Sequence, residues 1–391
     1  MKLAQVFQSY KDFIMPTYNK LPLVFTKGKG SFLWDAQGKK YLDFFPGWGV
    51  GNLGHCHPKV MQAVRDQISK LIFIPNNYYH LPQAKLAKEL IYWSFPGKVF
   101  FCNSGAEANE AAIKLARKFG QGRNEIITFE NAFHGRTLAT LAATGQKKYQ
   151  DGFEPMPAGF KNIKLNDLAA LKQAINGNTV AVMLELVQGE GGVNLTDKDF
   201  VLALRKICDE HNLLLIIDEV QTGIGRTGKF FAYQHYGITP DIITLAKALG
   251  GGLPIGAIIA KKGIADSLTP GMHASTFGGG PVICRAALAV LKAVQEEKIL
   301  SNVNKMSAYL FEKLSALRDK YPMIKDLRGI GLMVGIELDR EGKAIVQQCM
   351  DAGLLINCTH GCVLRLMPAL NVGKKQIDNA VSILDNALRR A

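Results

Sequence analysis

The sequence predicts an α/β fold, with a mainly parallel sheet covered by helices on both faces and a smaller α+β unit built from the flanking segments. Three observations carry this. Short apolar runs alternate with helical stretches from about residue 98 onward. Several runs, among them TVAVMLELV (179–187) and LLLIIDEV (213–220), are apolar at consecutive positions. A strand with no polar side cannot face water, and parallel sheets bury both faces. After about residue 320 the order changes to clustered strands closed by one helix. A chain of 391 residues has length for two or three domains. The expected division is an N-terminal segment of the small domain (1–52), a large α/β domain (53–281) and a C-terminal α+β domain (282–391).

LVFTKGKGSFLWD followed by GKKYLDFF reads as a hairpin, with turn residues Asp35, Ala36, Gln37 and Gly38 between its arms. Pro58 opens a helix, PKVMQAVRDQISKLI, because a proline at the first helical position loses no hydrogen bond. QAKLAKELIYW is a second helix. KVFFCN is a strand and AEANEAAIKLARKFG the helix after it. EIITFE and TVAVMLELV are strands, FVLALRKICDEH a helix, and LLLIIDEV, DIITLAK and GAIIAK three more strands. Residues 282–317 form a long helical stretch with a possible break. The strands GLMVGIEL, LLINCT and CVLRLMP and the helix KKQIDNAVSILDNALRR complete the chain.

The formal charge of +14 invites a nucleic-acid partner, but the basic residues are scattered in doublets such as Lys147-Lys148, with no run of three. No basic block or tail exists to form a footprint, so no nucleic-acid role is expected. No stretch reaches the ~18 apolar residues of a membrane span, and the N-terminus lacks a signal-peptide core, so no membrane role is expected either. Seven cysteines at irregular spacing fit a reduced, cytoplasmic protein. His55-Cys56-His57 and Cys358-x-His360-x-Cys362 lack the second ligand pair of a zinc site, and no metal is expected.

Two glycine motifs mislead. Gly49-x-Gly51-x-x-Gly54 resembles a dinucleotide fingerprint, but HCHP separates it from the next helix. Gly223 to Gly228-Lys229 resembles a P-loop. Phe230 then stands where a magnesium-binding hydroxyl belongs, and no helix follows, which argues against an ATPase.

The chemistry concentrates at strand ends. Asn103-Ser104-Gly105-Ala106 closes a strand and opens a helix. Small residues there let backbone amides approach an anion, and the helix terminus adds positive potential. Asp218 ends the apolar LLLIID, where a carboxylate is costly unless it meets a positive partner. Lys247 ends DIITLAK, and a lysine leaving an apolar strand is a candidate for a depressed pKa and Schiff-base chemistry. Taken singly, Asp218 better suits a helix cap or surface turn, and Lys247 a solvated strand end. Together, a phosphate cup, a buried acid and a buried lysine are the parts that hold pyridoxal phosphate.

The longer text IIDEVQTGIGRTGKFFAYQHYGITPDIITLAKALGGGLPIGA resembles the signature of class III pyridoxal-phosphate-dependent aminotransferases. FCNSGAEANEAAIKLAR, AFHGRT, LELVQGEGG, HASTFGGGP and LRLMPALN extend the resemblance over nearly the whole chain. Within the class the motifs are most like those of acetylornithine aminotransferases, with ornithine aminotransferases next. The resemblance implies a fold-type I transferase in which Lys247 and Asp218 are catalytic. Lys247 would bind the cofactor covalently and shuttle the substrate proton, and Asp218 would pair with the pyridinium nitrogen. Phe133 and Val220 would sandwich the ring, and Gln221 would bond its phenolic oxygen. Ser104, Gly105 and Ala106 would take the phosphate. Thr276 would reach the phosphate of a neighbouring subunit, which implies a homodimer with shared sites. For substrate, the resemblance points to Arg136 gripping a carboxylate and Ser275 beside it. Glu190 and Arg365 would act as a switch, and Tyr18 matches a position that contacts the α-carboxylate in ornithine aminotransferases. The implied reaction moves the terminal amine of N2-acetylornithine, or else of ornithine or succinyl-diaminopimelate, to 2-oxoglutarate. Arginine biosynthesis is the expected setting.

Overall fold

The computed structural model describes residues 2–391. A seven-stranded sheet forms its centre. The strands run in the order Gly97–Cys102, Gly256–Lys261, Ile242–Leu245, Leu214–Asp218, Thr179–Leu184, Glu125–Phe129 and Phe160–Ile163. All pair in parallel except Gly256–Lys261, which is antiparallel to both neighbours. The doubly apolar runs occupy the middle. Leu214–Asp218 and Thr179–Leu184 are buried at every position, as strands covered on both faces must be.

The helix Gly105–Phe119 covers one face. Ser104 caps it, its hydroxyl accepting from the Glu107 amide at 3.1 Å, a contact worth about 1 kcal/mol. Ala108, Ala111, Ala112 and Leu115 turn inward, and their small side chains bring the helix close to the sheet. The opposite face is covered by elements that include Lys198–Glu210, which buries Phe200, Val201, Leu204 and Ile207.

Beside this lies a smaller α+β region. Phe25–Lys29, Phe32–Asp35 and Lys40–Asp43 form an antiparallel meander, and Leu354–Leu355 adds to it in parallel, so the two ends of the chain share a sheet. A second sheet joins Ile324–Ile330, Met333–Leu338, Val363–Leu366 and Asn357–Thr359.

Several elements differ from the sequence reading. The first hairpin arm itself folds back at Gly30, whose φ of +57° glycine adopts without strain. The possible break in residues 282–317 is borne out: Lys298, at φ +52°, separates Pro281–Glu296 from Ile299–Lys320. The run 179–187 stops at Leu184, leaving Glu185 free to turn into the site. Leu3–Phe13, Phe160–Ile163, Ile324–Ile330 and Lys343–Asp351 were not expected as regular elements. Among the described residues, no helix is long and apolar enough to cross a membrane.

Candidate active site

The carboxyl ends of the central strands open on a cavity of about 510 Å³, the position where ligands bind in parallel sheets. Ser104, Gly105 and Ala106 line it from the helix terminus, Phe133 and Arg136 from the loop after Glu125–Phe129, and Asp218, Val220 and Gln221 from the end of Leu214–Asp218. Lys247 and Glu190 also line it, as do Asn109, His134 and Glu185.

Asp218 is buried and hydrogen-bonded at both oxygens. Its Oδ2 accepts from Asn109 Nδ2 and meets His134 Nδ1, both at 2.8 Å, and its Oδ1 accepts from the Val220 amide at 3.0 Å. His134 carries a proton on Nδ1 to face that carboxylate. Burial opposes the imidazolium, yet the hydrogen bond and charge of Asp218 outweigh it and raise its pKa. His134 Nε2 is buried without a partner.

Lys247 lies two residues beyond Ile242–Leu245 rather than within it, in a 3-10 turn at φ +42°. That left-handed conformation is unusual for lysine. Burial lowers its pKa, with Glu190, Asp218 and Glu185 pulling upward less strongly. Glu185, which the sequence reading passed over, accepts from the Phe133 amide at 2.9 Å, and burial lifts its pKa to about 7.

Gly105 brings the helix terminus against Val220. A Cβ at Gly105 would lie 2.9 Å from Val220 Cγ1. Gln221 donates from Nε2 to the Trp48 carbonyl at 3.2 Å and leaves Oε1 buried and unpartnered. The Arg136 guanidinium stacks on Tyr149, 4.1 Å from the ring centre, and lies 5.5 Å from that of Phe133.

Arg365 is fully buried on Val363–Leu366, directly behind Glu190. Its Nη1 donates to Glu190 Oε1 and to the Gly189 carbonyl, each at 2.7 Å. Burial resists ionisation of Glu190, but the charge and hydrogen bond of Arg365 prevail and hold its pKa low. An ionised Glu190 thus stands between Arg365 and the cavity.

Besides Arg365, which stands behind Glu190, three expected site residues do not line this cavity. Tyr18 is two-thirds exposed, beside Lys20. Ser275 lines a neighbouring cleft, where its hydroxyl accepts from Asn103 Nδ2 at 3.1 Å. Thr276 is exposed at the rim of the fold. Asn109, His134 and Glu185 were the residues sequence reasoning missed. His134 lay within the quoted AFHGRT. Asn109, a polar residue among inward-facing alanines, was a legible anomaly.

The model of the aminotransferase class-III family matches residues 13–388. The chain is 52% identical over 380 residues to the acetylornithine aminotransferase of Methanocaldococcus jannaschii, covering 96% of each chain. It is 45% identical over 386 residues to the succinylornithine transaminase of Citrobacter koseri, covering 96% of this chain and 95% of that one. Among solved structures, the ornithine aminotransferase of Toxoplasma gondii superposes with a TM-score of 0.96 at 31% identity, over 100% of this chain and 96% of the other.

Proposed function

The chain is a class-III aminotransferase, and from that premise we propose that it moves the terminal amine of N2-acetylornithine to 2-oxoglutarate, giving N-acetylglutamate 5-semialdehyde and glutamate in arginine biosynthesis. The observation that carries this reading is the pair of arginines, with Arg136 on the cavity wall and Arg365 masked by Glu190. The two substrates place their carboxylates differently. The donor reacts through its distal amine, far from its α-carboxylate. 2-Oxoglutarate reacts beside its α-carboxylate and carries a second carboxylate at its far end. One permanent and one maskable arginine suit both.

The site fits pyridoxal phosphate. Backbone amides at Gly105 and Ala106, with Ser104, would hold the phosphate. Phe133 and Val220 would flank the ring, Asp218 would take its nitrogen, and Gln221, also on the cavity wall, would bond the phenolic oxygen through its amide. When bound, the cofactor supplies a carbonyl that joins an amine and a ring that withdraws electrons from the adjoining carbon. Lys247 Nζ, kept uncharged and nucleophilic by burial, would be the amine that holds the resting cofactor and would then move the proton released at the donor carbon. Asp218 would keep the ring nitrogen protonated, with its carboxylate fixed for that contact by Asn109 and His134. In the donor half, ionised Glu190 neutralises Arg365 and Arg136 takes the α-carboxylate. In the acceptor half the Glu190 side chain swings aside, Arg365 takes the α-carboxylate, and Arg136 takes the distal one.

We place the enzyme in the cytoplasm, which the seven unpaired cysteines support. A homodimer with shared sites accounts for Thr276 on the rim, and exposed Phe277 and Phe73, 5.5 Å apart beside it, suit a subunit contact.

Ornithine, succinyl-diaminopimelate and N2-succinylornithine are the competing donors, the last because of the succinylornithine transaminase relative. Steady-state kinetics with all four decides among them. The highest kcat/KM is expected for N2-acetylornithine, and a clearly higher value for another donor overturns that choice.

A further inference from the structure

The Glu190–Arg365 reading leaves a physical problem. Arg365 is fully buried, and when Glu190 swings away it loses its only ion-pair partner among the described residues. A buried guanidinium left loose would follow the carboxylate or lose its aim. Its remaining contacts solve this. Nε donates to Asn357 Oδ1 at 3.0 Å. Nη1 keeps the Gly189 carbonyl at 2.7 Å. The guanidinium carbon lies over the Phe45 ring, 4.8 Å from its centre. Nη2 is buried with no partner at all.

Asn357 is fixed in turn. It lies on Asn357–Thr359 directly opposite Arg365 in the antiparallel ladder, so backbone register places the two side chains together. Two residues on, the Thr359 hydroxyl donates to the Glu190 carbonyl at 2.6 Å. The Glu190 backbone is therefore pinned, and only its side chain is free to turn.

We infer that Asn357, with Phe45, is a positioning residue that holds Arg365 in place once Glu190 has turned away, so that Nη1 and the idle Nη2 form a ready fork for the α-carboxylate of 2-oxoglutarate. Both holders are neutral. A carboxylate in place of Asn357 would hold Arg365 as well but would compete with the substrate for its charge; an amide oxygen and an aromatic face do not. While Glu190 is in place Arg365 is already neutralised, so Asn357 matters for one half of the reaction only.

This assignment rests on the Glu190–Arg365 switch, and the test separates the two. In the holoenzyme, N357A is expected to raise KM for 2-oxoglutarate about tenfold, the usual consequence of removing one hydrogen bond from a charged group. Calorimetric binding of glutarate, a dicarboxylate that cannot react, should weaken by the same factor. KM for the amino donor should stay at the wild-type value, the melting temperature should fall by no more than a few degrees as Arg365 Nε loses its acceptor, and N357S repeats the test if N357A is unstable. In an E190A background the effect of N357A on glutarate binding should grow, because Asn357 is then the main side-chain anchor. R365K is the control for the switch itself. If R365K leaves 2-oxoglutarate saturation unchanged, the switch reading fails and this assignment with it. If R365K impairs saturation while the Asn357 variants leave 2-oxoglutarate and glutarate unaffected, or weaken donor and acceptor equally, the positioning role of Asn357 alone is overturned.

Discussion

Glu219 follows Asp218 in sequence but faces the other way, into the core. It is 1% exposed, its carboxyl accepting from the Thr222 hydroxyl at 2.5 Å and the Tyr233 amide at 2.9 Å. Burial lifts its pKa from the ordinary 4.5 to about 7, and no cation offsets this. Between those values the folded protein holds a proton that the unfolded chain has released. Stability is therefore greatest below about 4.5 and is lost as pH rises through about 7. The gap between the two values corresponds to about 3 kcal/mol. E219Q removes the titration while keeping the hydrogen bonds, since its oxygen can accept from Tyr233 and its amide can donate to Thr222. With about 2.1 cal/mol/K of unfolding entropy per residue over 391 residues, 3 kcal/mol is about 4 °C. Thermal unfolding of the wild-type and E219Q holoenzymes at matched scan rate from pH 5 to 8 reads this directly. The variant's melting temperature should gain on the wild type by about 3–4 °C across that range. A difference that does not change with pH refutes the reasoning, because Glu219 would then ionise as an ordinary surface acid does.

The remaining predictions concern the cavity. K247A should fold with an unchanged melting temperature yet lose turnover, and after borohydride treatment its peptide 247 should carry no added cofactor mass, whereas the wild-type peptide does. H134L removes one of the partners that fix Asp218. It should lower kcat about tenfold in both half-reactions without separating the two KM values, as stopped-flow traces of each half will reveal. G105A forces a Cβ to within 2.9 Å of Val220 Cγ1. Overpacking of this kind costs about 1–3 kcal/mol, so the cofactor should dissociate roughly tenfold or more faster on dialysis; retention equal to wild type would contradict the proposed phosphate cup.

Much of this site was legible because its chemistry violates local expectation. Asp218 and Lys247 stand out as charges at the ends of runs that are otherwise apolar, and burial explains both the anomaly and the function. The tight helix entry at Ser104–Ala106 was legible from residue size. The network behind Asp218 was not. Asn109 and His134 are 109 and 84 positions from Asp218, and only the stacking of a helix and a loop over the same strand end brings them within 2.8 Å. Glu185 was hidden inside TVAVMLELV, which periodicity alone reads as one strand; its end at Leu184 is a tertiary effect. Ile324–Ile330 is polar or half-exposed along most of its length and owes its conformation to pairing with Met333–Leu338 rather than to composition. Tyr18 and Thr276 came from resemblance alone, and within one chain neither reaches the cavity.

The central claim is the direction of nitrogen flow, and isotope transfer tests it most directly. The purified holoenzyme is incubated with 2-oxoglutarate and N2-acetylornithine carrying nitrogen-15 only at its terminal amine, and the products are resolved by mass spectrometry. The account predicts glutamate labelled at its amino group, in amounts equal to the semialdehyde formed, with no label in K247A reactions. Label retained in the donor, or released as ammonia with unlabelled glutamate, would contradict it.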